Sequence, residues 1–129
     1  MAVKFLSSDQ IVHMHNDLID RWGGEHGGGH RGHGYEGVEA AAQAVKNSYY
    51  TEFRDLAAAY AVYIIQGHVF MDGNKRSGLA AMTTFLDANG VKYRAVPDEM
   101  FKAMIELQTR SEAGERTDHL ISWLASLLE

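Results

Sequence analysis

A chain of 129 residues is one domain by size, large enough for a single hydrophobic core. Its hydrophobic content of 46% and formal net charge of -5 exclude a disordered chain and argue against general nucleic-acid binding. The lack of cysteine excludes disulfides and thiolate metal sites. The longest apolar run, residues 56–65, is far too short to span a bilayer. No signal-peptide core precedes Lys4 and Asp9, so the expected compartment is the cytoplasm. One proline among many Ala, Leu, Met and Glu favours helices.

The first helix is expected to begin at Ser7 or Ser8, where Ser7-Ser8-Asp9-Gln10 has the spacing of a capping box. Ile11, Met14, Leu18 and Trp22 fall on one face, and Gly23-Gly24 stop the helix. His13 and His15 read as surface or helix-packing histidines. Residues 23–37 hold the chain's densest glycine and read as a loop. His26, His30 and His33 there could bind a divalent metal, but glycine-rich backbone is costly to order around an ion.

An Ala-rich helix is expected from Val38 to about Tyr49. Thr51 is expected to cap the next, with Glu52 and Asp55 in its first turn. Phe53, Leu56, Ala57, Tyr60 and Ile64 form one face of that helix, widened by Val62 and Ile65, so it is apolar almost all round and central. Gly67 ends it. Leu79, Met82, Phe85 and Leu86 belong to the following helix, which Asn89-Gly90 terminate. Residues 91–95 alternate and suggest a short extended segment. Pro97 starts a helix in which Phe101, Met104, Ile105 and Gln108 share a face. Residues 111–116 read as a polar loop. Thr117 is expected to cap a last helix that packs Leu120, Ile121, Leu124 and Leu127 inward. The fold class is all-α, a bundle of about six helices forming one domain over residues 1–129.

Between the two most apolar helices lies His68-Val69-Phe70-Met71-Asp72-Gly73-Asn74-Lys75-Arg76. The second of these helices is expected to start near Asn74. Its N-terminus presents unpaired N–H groups and the positive end of the dipole, which suits an anion such as phosphate. Lys75 and Arg76 add cations at that end, against the usual placement, so something negative is expected to offset them. A phosphate-cradling P-loop is excluded, because Gly67 and Gly73 are wrongly spaced and Lys75 does not follow a glycine. A metallohydrolase is excluded, because His68 and Asp72 are too few ligands.

The stretch resembles the signature of the Fic/Doc family, His-x-Phe-x-Asp/Glu-Gly-Asn-x-Arg, through His68, Phe70, Asp72, Gly73, Asn74 and Arg76. Lys75 stands where Fic enzymes carry glycine and is similar to the Asn-Lys-Arg of the death-on-curing (Doc) branch. Phe5-Leu6-Ser7, Trp22-Gly23-Gly24, Phe85-Leu86-Asp87-Ala88-Asn89-Gly90 and residues 120–127 extend the resemblance along the chain. It implies the helical Fic/Doc fold, with residues 23–37 as the glycine-rich flap over the target. The family's Arg-Asp pair and Leu-Glu-Ser run are replaced here by Arg31-Gly32 and Val38-Glu39-Ala40.

The resemblance also implies roles. His68 is the catalytic base, since imidazole titrates near neutrality. Asp72 is a hard oxygen ligand for one Mg2+ on the nucleotide, and it can at the same time be the helix N-cap. Gly73, Asn74, Lys75 and Arg76 bind nucleotide or phosphate: Gly73 by close approach, Asn74 by orienting an oxygen, Arg76 by its fork and Lys75 as a point charge. Phe70 anchors the loop in the core, and Ser77 reads as structural. The implied activity is that of a toxin which transfers the γ-phosphate of ATP to a protein hydroxyl, with elongation factor Tu as target and translation blocked. An antitoxin with a tail that folds on binding is the implied inhibitor. Alternatives are AMPylation by a Fic-type adenylyltransferase, or a catalytically silent partner-binding module. Leu79 occupies the place of the family's second Arg, which argues against adenylylation. Ser111 to Arg116 has the spacing of an inhibitory helix motif but ends in Arg, a coincidence.

Overall fold

The computed structural model describes residues 2–22 and 36–129. The expected flap with His26, His30 and His33 lies outside the described residues. Among the described residues there are six helices: α1 (Ser8–Trp22), α2 (Glu36–Lys46), α3 (Phe53–Gln66), α4 (Asn74–Ala88), α5 (Pro97–Glu112) and α6 (Thr117–Ser126). The fold is all-α, as expected.

The capping box forms. Ser7 Oγ accepts from Gln10 N at 3.1 Å, and Gln10 Oε1 accepts from Ser7 N at 2.8 Å. The inward face of α1 is rotated from the expected one. Ile11, Val12, His15 and Ile19 are buried, while Met14 and Leu18 are only half-buried. α2 starts and stops earlier than its periodicity suggests. Asn47 and Ser48 turn the chain after Lys46, with Ser48 Oγ donating to Val45 O at 2.7 Å, a local bond that competes with helix.

α3 is the centre, and α2, α4, α5 and α6 all pack on it. Residues 56–62 are buried without a break, followed by Ile64 and Ile65. Alanines at 57, 58, 59 and 61 let its neighbours approach closely. At the α4 contact, a Cβ on Gly78 would stand 3.2 Å from Ile65 Cδ1 and 3.4 Å from Ala61 Cα. Phe85 of α4 sits among Phe5, Phe53 and Tyr60, its ring centroid 6.3, 6.2 and 5.3 Å from theirs. Thr51 does not cap α3. Glu52 holds the N-cap position without a side-chain bond, because the helix begins only at Phe53.

α4 ends in a Schellman turn: Gly90, with φ of 67°, donates to Asp87 O, and Val91 donates to Leu86 O. Asn89 there clamps the N-terminal segment. It accepts from Lys4 N at 2.8 Å and donates to Lys4 O at 3.0 Å and Phe85 O at 2.8 Å. Residues 91–95 find no strand partner among the described residues. Arg94 N instead donates to Leu128 O at 2.9 Å. Pro97 opens α5 at its first turn as expected, but the buried face is Met100, Ala103, Met104 and Leu107. Phe101 and Ile105 are exposed, Phe101 beside the loop that precedes α4. Arg110 joins α5 to α6, pairing with Glu115 and lying 4.3 Å over the Trp123 ring. Thr117 is the first residue of α6, not its cap, and its hydroxyl donates to Gln66 Oε1 of α3 at 2.8 Å.

Candidate active site

The loop between α3 and α4 is shaped at its start by a left-handed histidine. Gly67 continues the helical path, and a Cβ there would stand 2.7 Å from the Tyr63 carbonyl oxygen. His68 follows with φ of 45°, an unusual value for a residue with a side chain. Its N–H donates to Ile65 O at 3.2 Å, and Val69 N–H donates to Ile64 O at 3.5 Å. This is a helix-terminating turn with histidine where glycine is usual. The turn leaves the His68 side chain exposed while Val69 and Phe70 are buried.

Asn74 closes the loop. Its Oδ1 accepts from Phe70 N at 3.0 Å, and its Nδ2 donates to Phe70 O at 2.9 Å. The carboxamide thus shapes the loop by bonding its backbone at both ends. Asp72 is not the N-cap of α4. That position belongs to Gly73, with φ of 80°, and Asp72 Oδ1 accepts instead from Gly73 N at 2.8 Å. No side chain caps α4, and its first turn holds no acid. The positive end of the helix therefore meets the loop with the Asp72 carboxylate just ahead of it.

His68, Asp72, Gly73, Asn74 and Lys75 line one cleft of about 170 Å³ with Gln108 of α5. An adjoining hollow of about 210 Å³ is lined by residues 72–76 and Phe101. The structure thus places five of the six expected site residues on the first cleft, while Arg76 lines only the second. Lys75 reaches across to α5. Its Nζ donates to Gln108 Oε1 at 2.8 Å, and Gln108 Nε2 donates to Glu112 Oε1 at 2.9 Å. The charge is held against the α5 wall. Leu79, in place of a second Arg, is half-buried against the core. Ser77 is buried, and its Oγ has no hydrogen-bond partner among the described residues.

Three residues at or beneath the site escape a reading of the sequence: Gln108, Phe101 and His15. The first two sit on the α5 face that a hydrophobic count assigns to the core. His15 had a signal, since it falls four residues after Ile11 and four before Ile19, in the middle of a buried stripe.

Among the described residues, no three or more His, Asp or Glu side chains gather as a metal cage. A single loop carboxylate beside an uncapped helix end fits Mg2+, which keeps waters and takes most of its ligands from substrate phosphates. Asp72 would hold it, and it would supply charge neutralisation on the phosphates.

The geometry agrees with two comparisons. Residues 5–86 match the model of the Fic/DOC family. The chain is 28% identical over 96 residues to a protein named "Protein kinase doc" from Escherichia phage P1, covering 74% of this chain and 76% of that protein. The family match covers well over half of an all-α bundle whose central helix pair carries the loop: the chain belongs to the Fic/DOC family.

Proposed function

We propose that the protein is a Doc-like toxin that transfers the γ-phosphate of ATP to a hydroxyl of a target protein in the cytoplasm. The observation that carries this is the exposed, left-handed His68 lining one cleft with Asp72 and the uncapped N-terminus of α4. The acceptor hydroxyl, placed in the cleft, loses its proton to the His68 imidazole as its oxygen bonds to the γ-phosphorus. The bond from that phosphorus to the β,γ-bridging oxygen breaks, and ADP leaves. Backbone N–H groups of α4 and the Arg76 guanidinium stabilise charge on the transferring group. Asp72 orients the nucleotide's Mg2+.

The resemblance to a protein named as a kinase supports phosphoryl transfer. Elongation factor Tu is the first acceptor to test, with blocked translation as the outcome and an antitoxin whose tail folds on binding as the inhibitor. Adenylylation stands as a second reading for a specific reason. The Lys75 ammonium is drawn onto Gln108, so it does not itself fill the anion cradle and does not by charge alone forbid an α-phosphate there.

The two readings part in one experiment. The protein is incubated with elongation factor Tu and ATP labelled at the α- or the γ-phosphate. Label on the acceptor from the γ position is the expected result. Label from the α position alone would replace the kinase reading with adenylylation.

A further inference from the structure

We propose that His15 is a positioning residue that holds the phosphate loop in its binding shape through the carbonyl of Asp72. The proposal rests on the reading of that loop as the nucleotide site. His15 comes from α1 and lies 57 residues from Asp72 in sequence, yet its Nε2 sits 2.7 Å from Asp72 O. A carbonyl only accepts, so Nε2 carries the hydrogen and donates it. The ring also stacks on Phe70, with centroids 3.7 Å apart and planes 5° from parallel.

One imidazole therefore fixes the loop at two points: its face on Phe70 and its edge on Asp72. Both points bear on the site. The Phe70 backbone is the partner that Asn74 closes upon, and the Asp72 carbonyl belongs to the residue whose carboxylate faces Gly73 N. Gly73 lies over the same ring, since a Cβ there would come within 3.5 Å of His15 Cδ2 and Nε2. His15 is fully buried, whereas His13 on the same helix is exposed. A leucine would fill such a place without the cost of burying a polar ring, so the imidazole's own contribution is the hydrogen bond. Groups that orient a ligand from behind act through geometry, and losing one costs about tenfold to a hundredfold in metal affinity or activity.

Two substitutions separate the hydrogen bond from the packing. His15→Phe keeps the stack and removes the donor. His15→Gln removes the stack and keeps an amide donor near the place of Nε2. Hydrogen exchange at the amides of Phe70 and Gly73 reads loop order without any ligand. The Mg2+ dependence of γ-phosphate transfer from ATP to elongation factor Tu reads the consequence. In His15→Phe the two amides are expected to exchange faster, with the Mg2+ requirement raised about tenfold to a hundredfold and transfer recovered at saturating Mg2+. His15→Gln is expected to stay near the parent in both.

Parent-like exchange and Mg2+ dependence in His15→Phe would overturn the proposal. So would equal losses in the two variants. Should His15→Phe not fold, His15→Asn replaces it: its amide falls one methylene short, and it must loosen the loop where His15→Gln does not. If the parent transfers no label to elongation factor Tu, the choice of acceptor in the proposed function fails. The exchange data then still decide whether His15 holds the loop.

Discussion

His68 is as unusual in its backbone as it is exposed in its ring. A left-handed conformation costs a residue with a Cβ about 1–2 kcal/mol, and here the turn after α3 imposes it. That strain is what turns the imidazole outward while Phe70 goes in. It predicts an unusual separation of stability from activity. His68→Gly should melt at or above the parent temperature, because glycine takes φ of 45° freely. The same change should lower transfer about a hundredfold to ten-thousandfold, as expected for loss of a positioned base. Calorimetric melting and the labelled-phosphate assay on one preparation check both halves. That His68, Asp72, Asn74 and Lys75 lie on one loop between two helices is legible from the sequence. The partners of Asn74 and Lys75 are not, because the fold decides them: the Phe70 backbone for one, Gln108 for the other.

At the scale of the element, signals that close within a turn are readable. The Ser7–Gln10 box, the Asn89-Gly90 stop and Pro97 at a helix start all satisfy their own backbone locally. Thr51 and Thr117 mislead because a capping side chain is only one of several ways to meet a helix start, and Thr117 instead bonds Gln66 across the bundle. The α5 face is misread by size. Phe101 is the largest apolar side chain in the first turns of α5, but Met100, Ala103, Met104 and Leu107 fit the space left by α3 and α4. The packing of α3 and α4 is where stability concentrates. Phe85→Ala, which empties the centre of an aromatic group, should cost about 3–5 kcal/mol in urea unfolding. A loss below about 1 kcal/mol would mean that the neighbouring rings collapse into the space.

Across the whole molecule, the chain's first residues are stitched to its middle. Tyr60 accepts from Leu6 N at 2.8 Å, and burial pushes its hydroxyl up to about 12 from an ordinary value of 10.0. The neutral form is favoured in the folded state, so the unfolded chain binds fewer protons once pH passes 10.0. Stability from this group is complete below that pH and is lost as pH rises towards about 12, by up to about 3 kcal/mol. Tyr60→Phe should melt at a lower temperature at neutral pH and lose less between pH 10 and 12 than the parent does, which thermal melts across that range would measure. The other end of the stitch, Asn89, has a consequence in chemical ageing. Asn-Gly is the pair most prone to lose its amide through a cyclic imide, which forms when the following backbone nitrogen attacks the side-chain carbonyl. Here the Asn89 carboxamide is bound to Lys4 and Phe85, and the Gly90 nitrogen is turned towards Asp87 O. The reaction therefore waits for the helix end to open. An aspartate formed there could no longer donate to Lys4 O or Phe85 O, so the first damaged copies would be those whose N-terminal segment had already let go.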